Sequence, residues 1–300
     1  MDVVRAAKNA LDPAPDGRRP GPTAARMVVG ARLRRLREQA GVSREAAATA
    51  IRSSDSKISR LELGRTGFKR RDVADLLTLY GVTAADERQS LLEMVEQANA
   101  PGWWQRFDDA VPGWFESYLG LEHAAALIRT YAVQFVPDLL QTEDYASSAL
   151  RLGHPYDDAG RLERRVALRM GRQQILHRPD PPRVWAVIDE TALRRPIGGR
   201  AAMRRQLAHL IEIAELPHVS VQVIPFSTGG HPAAGGPITL LRFPGGGLPD
   251  IVYLEQLISA VYVDKPAAVA TYWQVLNDLG MRAEQPRATA GILRQIRAEL

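Results

Sequence analysis

One helix-length segment, residues 54 to 63, carries short polar side chains and long cations on the side that would face away from a core. Ser54 is suited to cap the segment, and Ile58 and Leu61 fall where a helix would turn inward. The outward face is expected to display Asp55, Ser56, Lys57, Ser59 and Arg60. Such groups hydrogen-bond to base edges, and a single helix fits the major groove of a DNA duplex. The segment is therefore a candidate for reading bases.

The elements needed to hold this segment precede it in the chain. An apolar stripe at helical spacing predicts a first helix and consists of Val29, Leu33, Leu36 and Ala40. Gly41 follows in the position of a C-terminal glycine stop, and Ser43 is expected to cap a second, alanine-rich helix. With the segment at residues 54 to 63, this order predicts a helix-turn-helix unit over residues 30 to 65.

Two more helices are expected after this unit. A basic run at residues 69 to 71 introduces a fourth helix, which Gly81 ends. Its inner face is predicted to consist of Val73, Leu76, Leu77 and Tyr80. Thr83 is expected to cap a fifth helix that runs to about Ala98. The apolar side of that helix is predicted to consist of Leu91, Leu92 and Val95.

These signals divide the chain into two domains and a tail. Residues 1 to 24 are rich in Pro, Gly and charge, so we predict a mobile tail there. Residues 25 to 100 form the DNA-binding domain, and residues 101 to 300 form a second domain. Within the second domain we expect helices over residues 101 to 178 and an α+β arrangement over residues 179 to 300.

The α+β part has the alternation of a sheet interrupted by Gly- and Pro-rich loops. Five strands are predicted at residues 183–190, 219–226, 237–243, 250–256 and 260–264. A helix over residues 200 to 215 separates the first two strands, which implies one parallel pair, and the later short loops suit antiparallel neighbours. The expected fold class is mainly α with α+β: a five-helix amino-terminal domain and an α+β carboxyl-terminal domain with a mixed sheet of about four to five strands.

Composition excludes several classes of function. The chain is 45% hydrophobic and 24% charged, which is typical of a globular protein. No run approaches the roughly 18 apolar residues of a membrane span. The absence of cysteine excludes disulfides, thiol catalysis and cysteine-ligated zinc. We therefore expect a cytoplasmic, nucleoid-associated protein.

Charge is distributed unevenly along the chain. Residues 1 to 72 contain 17 Lys and Arg against 8 Asp and Glu, a net charge of +9. The whole chain has a net charge of +5, which leaves −4 for the remainder. A basic amino-terminal part on a slightly acidic body indicates that the basic part binds a polyanion.

Aromatic side chains are concentrated just after the domain boundary. They comprise Trp103, Trp104, Phe107, Trp114, Phe115, Tyr118 and Tyr131. Such a set could form a ligand cage or stack on single-stranded bases. Core or inter-domain packing is the interpretation we favour, because large aromatic side chains usually contribute to cores.

An enzymatic alternative depends on four titratable residues near predicted strand ends. Asp189, Glu190, His231 and Glu255 could hold a metal or perform acid–base chemistry. No metal-ligand spacing links them, and the glycine pairs of this region lie between strands, where they suit hairpins and not phosphate binding. We therefore predict no catalytic residue, no metal site and no cofactor.

The segment from residue 25 to 82 resembles the XRE (lambda-repressor-like) helix-turn-helix family, including the run ISRLELGR. Arg52 stands where many members have Gly in the turn. By residue-to-residue match, the resemblance implies base contacts by Asp55, Ser56 and Arg60. It implies phosphate contacts by Arg44, Ser54, Lys57, Arg65 and Lys69. It also implies that Arg37 on the first helix pairs with Glu62 at the end of the reading helix.

Residues 102 to 298 resemble a carboxyl-terminal domain of unknown function found in Streptomyces and related actinobacterial regulators of the XRE type. The matching runs include VPGWFESYLGLE, IRTYAVQFVPDLLQTEDYA, GGPITLLRF and VYLEQLISAVYVDKP. In that family the gene often neighbours one for a small companion protein. The resemblance does not imply what the domain senses.

These observations predict a sequence-specific regulator of transcription that binds double-stranded DNA. The carboxyl-terminal domain would bind a small companion protein or a small-molecule ligand and control the helix-turn-helix. A homodimer is expected, because one reading helix covers only a few base pairs. The alternatives are a toxin–antitoxin-like interaction module with secondary DNA binding, or a metal-dependent enzyme fused to a helix-turn-helix.

Overall fold

The computed structural model describes residues 22–246 and 248–300, which form two compact units. The first unit holds the described residues up to Gln105 together with Pro244–Leu248, and the second holds Arg106–Phe243 and Pro249–Leu300. Among the described helices, none combines the length and the apolar character needed to cross a membrane.

The first unit is helical throughout its longer segment. Its α-helices are α1 (Pro22–Gln39), α2 (Arg44–Ala50), α3 (Asp55–Glu62), α4 (Arg70–Leu79) and α5 (Ala85–Asn99). Residues predicted to face inward from four of the helices meet in one apolar core, including Val29, Leu33, Ile58, Leu77 and Val95, and Ala47 and Ala48 of α2 join it. The predicted five-helix arrangement is confirmed.

Three local expectations for this unit were wrong. Ala40 lies beyond the end of α1 and is exposed, so it is not part of the buried stripe. Thr83 does not cap α5: Ala84 occupies that position and its side chain makes no capping hydrogen bond. Residues 1 to 21 of the expected tail lie outside the described residues, but its last part, from Pro22, is helical, with Thr23 and Ala24 buried.

The backbones of α1 and α3 approach each other very closely. A Cβ atom at Gly30 would lie 2.4 Å from the carbonyl oxygen of Leu61 and 2.7 Å from that of Glu62. Gly64, just after α3, has φ +64°, and a Cβ there would lie 2.7 Å from the Cα of Met27. Only glycine fits at either position, because backbone atoms cannot move aside as a flexible side chain can.

Ser43 caps α2 by accepting a hydrogen bond from the Ala46 amide at 3.1 Å, as predicted.

The turn between α2 and α3 contains a strained residue. Arg52 has φ +53° and is the one described residue other than glycine with a positive φ. A side chain in this left-handed region costs energy that glycine avoids.

We predict that Arg52→Gly stabilises the protein. Relief of the left-handed strain is worth about 1–2 kcal/mol, and the extra freedom of glycine in the unfolded chain removes part of this gain. We expect a net increase of about 1 kcal/mol in the free energy of unfolding, measured by urea titration. Arg52→Ala is the matched control, since it removes the side chain but keeps the strain, and equal stability of the two variants would contradict the prediction.

The second unit combines helices with a single mixed sheet. Its α-helices are α6 (Gly113–Ala124), α7 (Glu143–Gly153), α8 (Ala159–Gln173), α9 (Glu190–Arg194), α10 (Arg200–Ile213), α11 (Pro266–Arg282) and α12 (Pro286–Glu299). Its strands are β1 (Leu127–Ala132), β2 (Arg183–Asp189), β3 (Val219–Ile224), β4 (Ile238–Arg242), β5 (Ile251–Glu255) and β6 (Ala260–Val263).

The sheet has six strands in the order β3-β2-β1-β4-β5-β6. The mixed sheet was predicted, but β1 was missed, and the stretch from residue 101 to 178 is consequently not all helical. With β1 included, there are two parallel pairs instead of one, β1 with β2 and β2 with β3, whereas β4, β5 and β6 follow as antiparallel neighbours.

The position of β1 inside the sheet explains why its sequence was misread. It pairs with β2 on one side and β4 on the other, and both of its faces are covered. A strand buried on both faces shows no alternation between apolar and polar residues. One face of the sheet packs against α11 in a core that includes Tyr131, Val187, Leu240, Leu276 and Leu279.

Candidate nucleic-acid interface

The reading helix α3 separates its side chains between a core and a solvent face. Ile58 and Leu61 are almost fully buried, whereas Ser56 and Arg60 are exposed. Ser54 caps the helix and accepts a hydrogen bond from the Lys57 amide at 3.3 Å. The exposed side of α3 therefore carries polar and basic groups on a helix whose other side is fixed in the core.

Arg37 and Glu62 are brought together at the carboxyl end of α3. The Arg37 Nε and Nη2 atoms lie 2.5 Å and 3.0 Å from the two carboxylate oxygens of Glu62, and Arg37 Nη1 donates to the carbonyl of Val42 at 3.0 Å. The side chains are only 11% and 6% exposed. The hydrogen bond that Arg37 donates to Glu62 raises the pKa of the Arg37 guanidinium. This forked pair links α1 to α3.

The first turn of α3 contains a chain of polar contacts. The Ser54 and Ser56 hydroxyls lie 2.9 Å apart. Asp55 lies 3.3 Å from the Nε of Arg44 on α2, although the buried Oδ1 atom of Asp55 makes no hydrogen bond within the described residues. Of the residues expected to contact DNA, these four are therefore close neighbours around the amino end of the helix.

Lys57 is in a different position from the other expected phosphate ligands. Its ammonium donates to Asp72 of α4 at 2.8 Å, and only 27% of its side chain is exposed. A phosphate would have to compete with this carboxylate. By contrast, Arg60, Arg65 and Lys69 are exposed and form no ion pair with any residue in the described ranges.

One exposed cation near the reading helix was not among the predicted contacts. Arg52 lies in the turn, two residues before the Ser54 cap, and its side chain is exposed. The sequence signal was a non-glycine residue at a glycine position of the turn. Strained residues persist where the surrounding structure holds them, often at functional sites.

We predict that Arg37→Ala and Glu62→Ala each lower the free energy of unfolding by about 3 kcal/mol or more, because each leaves a buried charge without its partner. The double variant should lose much less than the sum of the two single losses. Denaturant titration of the four proteins measures this coupling. Arg34→Ala, which breaks an exposed pair with Glu38 on α1, is the control and should change stability little. Strict additivity would contradict the pairing.

The residues of the enzymatic alternative have structural partners. Asp189 caps α9 by accepting from the Thr191 amide at 2.9 Å, and Glu190 accepts from the Phe226 amide at 2.8 Å. The Nε2 atom of His231 lies 3.7 Å from Asp189 and 3.1 Å from the Tyr131 hydroxyl. Glu255 instead accepts from the Tyr253 hydroxyl at 3.0 Å. Within the described residues no acidic or histidine cluster has the arrangement of a metal site.

Most of the aromatic residues near the boundary are buried. Trp104, Phe107, Tyr118 and Tyr131 are buried, and the other three are partly buried. A further buried group was missed by sequence reasoning: Arg172 of α8 is 4% exposed and forms a fork with Glu122 at 2.8 Å and 2.9 Å. The burial of the aromatic residues favours packing over base stacking.

Two known families match the chain, one over its helical first unit and one over its second unit. A helix-turn-helix domain family matches residues 28–91, which contain α2, α3 and α4. A second family, described as a domain of unknown function (DUF5753), matches residues 115–295, more than half of the chain. No curated protein and no solved structure matches. The chain therefore belongs to the DUF5753 family and carries a helix-turn-helix domain ahead of it.

Proposed function

We propose that the protein is a sequence-specific DNA-binding regulator of transcription of the XRE type, acting in the cytoplasm. The single observation that carries the proposal is α3: a capped helix with Ser56 and Arg60 exposed, held by a buried apolar side and by the Arg37–Glu62 pair. A rigid helix with exposed hydrogen-bonding groups is what base readout in the major groove requires.

The contacts divide into base readers and phosphate ligands. Arg60 is assigned to a base edge, because an exposed arginine forms two hydrogen bonds to guanine. Ser56 and Asp55 flank it toward the amino end of α3. Arg65 and Lys69 follow α3 as exposed, unpaired cations within the described residues, which suits phosphate contacts. Arg44 and Ser54 complete the phosphate set at the other end of the helix.

We predict different losses for Arg60→Ala and Lys57→Ala. Arg60→Ala should weaken binding to the selected operator by about 1–3 kcal/mol and relax the preference at one base pair. Lys57→Ala should weaken specific and random DNA alike, and its effect on the salt slope should be below about one unit, because Asp72 already pairs with this lysine. Fluorescence anisotropy on operator and random duplexes, after selection of the operator from a random pool, measures both effects.

Arg151→Ala is the matched control for charge. Arg151 is an exposed arginine on α7 in the second unit, so its removal changes net charge equally without altering α3. Affinity for both duplexes should stay close to that of the wild type. An equal loss on operator and random DNA for Arg60→Ala would refute the base contact, and failure to select any sequence would refute the function.

A homodimer is part of the proposal. One reading helix contacts few base pairs, and two half-sites about one helical turn apart supply the specificity that a genome demands. We expect a dimer by light scattering at micromolar concentration and a palindromic footprint. A monomer that protects a single half-site would contradict this expectation.

The DUF5753 domain is proposed to receive a signal, either a small companion protein or a small-molecule ligand. Residues 101–300 carry 21 Lys and Arg against 21 Asp and Glu, so this part of the chain has no net positive charge with which to compete with the basic amino-terminal part for DNA. The second candidate function is a toxin–antitoxin-like module in which the companion protein is the principal target. Purification with and without a coexpressed small protein encoded beside the gene distinguishes the two kinds of signal, because copurification favours a protein partner and a bound small molecule in mass spectrometry favours a ligand.

A further inference from the structure

A cavity of about 470 Å³ lies where the parallel strands of the second unit begin. It is lined by the first residues of β1, β2 and β3 and by Trp273 of α11. This volume is within the range of small-molecule sites, about 300–1,000 Å³. The residues that matter for its chemistry are Arg129, Arg183, Trp185, His218, Gln222 and Trp273.

Arg129 is a buried cation in the wall of this cavity. It is 3% exposed, and its guanidinium carbon lies 3.7 Å from the ring centre of Trp185 and 4.7 Å from that of Trp273. Its Nη1 atom donates to the side-chain oxygen of Asn277 at 2.7 Å. The Nε and Nη2 atoms are closed to bulk water and hydrogen-bond no described residue.

No carboxylate among the lining residues compensates this charge. The cavity contains a second arginine, Arg183, and a histidine, His218, whose buried Nε2 atom also lacks a hydrogen-bond partner within the described ranges. The nearby Asp250 is already engaged by Arg242 and by the Trp273 indole, at 2.9 Å and 2.8 Å. Burial, together with the charge of Arg242, lowers the pKa of Arg129 to about 10.

The indole rings compensate only part of the cost of burying this cation. A cation over an aromatic face is attracted by the ring, and such contacts are worth about 0.5–2 kcal/mol. The ring faces do not accept the in-plane N–H bonds of a guanidinium as an oxygen does. Two unmade hydrogen bonds of a buried charged group are costly, and native structures usually satisfy them. A negatively charged acceptor would supply both hydrogen bonds and the compensating charge.

We infer that the cavity binds a small organic carboxylate through Arg129. The Nε atom and the neighbouring terminal nitrogen of a guanidinium form a fork that matches the two oxygens of a carboxylate. Nη1, the remaining nitrogen, is already bound to Asn277. Because both nitrogens are closed to water, a carboxylate reaches the fork only if a neighbouring side chain moves, and Trp273, which lines the cavity, is only partly buried. Arg183 adds charge at the wall.

Trp185 is the fixed wall of the site. Its indole nitrogen donates to Gln222 at 2.6 Å, and Gly280 of α11 packs so closely on the ring that a Cβ there would lie 2.3 Å from it. The carboxylate site identifies the chemical class of the small-molecule signal proposed above. Its biological role rests on the proposed function, but the binding itself does not. Ligand binding is measured without DNA, so failure of this inference and failure of DNA binding are distinguishable.

The test uses full-length protein and three carboxylates, acetate, benzoate and indole-3-carboxylate, each beside its neutral amide, with inorganic phosphate as a further anion. Tryptophan fluorescence and thermal melts report binding. We expect a saturable signal and a higher melting temperature with benzoate or indole-3-carboxylate, and neither with the amides or phosphate. Arg129→Lys, which keeps the charge but loses the fork, should weaken binding about tenfold or more.

Two further variants keep the test decisive. Arg183→Ala removes an exposed side chain of the cavity wall and should weaken binding severalfold even if Arg129→Lys fails to fold. Arg151→Ala, outside the cavity lining, should bind as the wild type does. Absence of saturable binding by all three carboxylates, equal binding of an amide, binding of phosphate alone, or unchanged affinity in a folded Arg129→Lys protein would each overturn the inference.

Discussion

The packing of α1 against the end of α3 is the constraint on which the DNA-reading geometry depends. α3 has eight residues, and a helix of that length is unstable by itself in water. Its position is fixed by two contacts with α1. Gly30 allows the backbones of α1 and α3 to pack in direct contact, and Arg37 forms two hydrogen bonds to the carboxylate of Glu62. A side chain at residue 30 would push α1 and α3 apart. Loss of the ion pair would release the carboxyl end of α3, which Gly64 follows.

Local signals predicted the order of the five helices in the first unit and two of their caps. Ser43 caps α2 and Ser54 caps α3 as expected, and Gly41 adopts a positive φ where the stop was predicted. Each of these features depends on neighbours within one turn of helix, so the sequence contains the whole cause. The ion pair of Lys57 could not be predicted from local sequence. Its partner Asp72 lies on another helix and meets the lysine only because α4 packs beside α3.

The second unit was predicted less completely, for a physical reason. β1 is covered on both faces, so its residues do not show the alternation of a half-exposed strand, and Arg129 and Thr130 interrupt the apolar run that such a strand usually has. Arg129 lies in that strand, where an arginine argues against burial on average. Its two indole neighbours come from β2 and α11, far along the chain. A site formed by such distant segments has no local spacing from which to be predicted.

The pairing of β1 also has a consequence for the order of folding. Leu127 aligns with Arg183 on one side and with Arg242 on the other. β1 therefore cannot pair with β2 and β4 until residues far along the chain have been synthesised. Long-range pairing of this kind slows folding, whereas helices joined by short loops fold rapidly. The five helices of the first unit lie between residues 22 and 99. Because the first unit is synthesised earlier and folds through local contacts, we expect its helices to pack before β4 reaches β1.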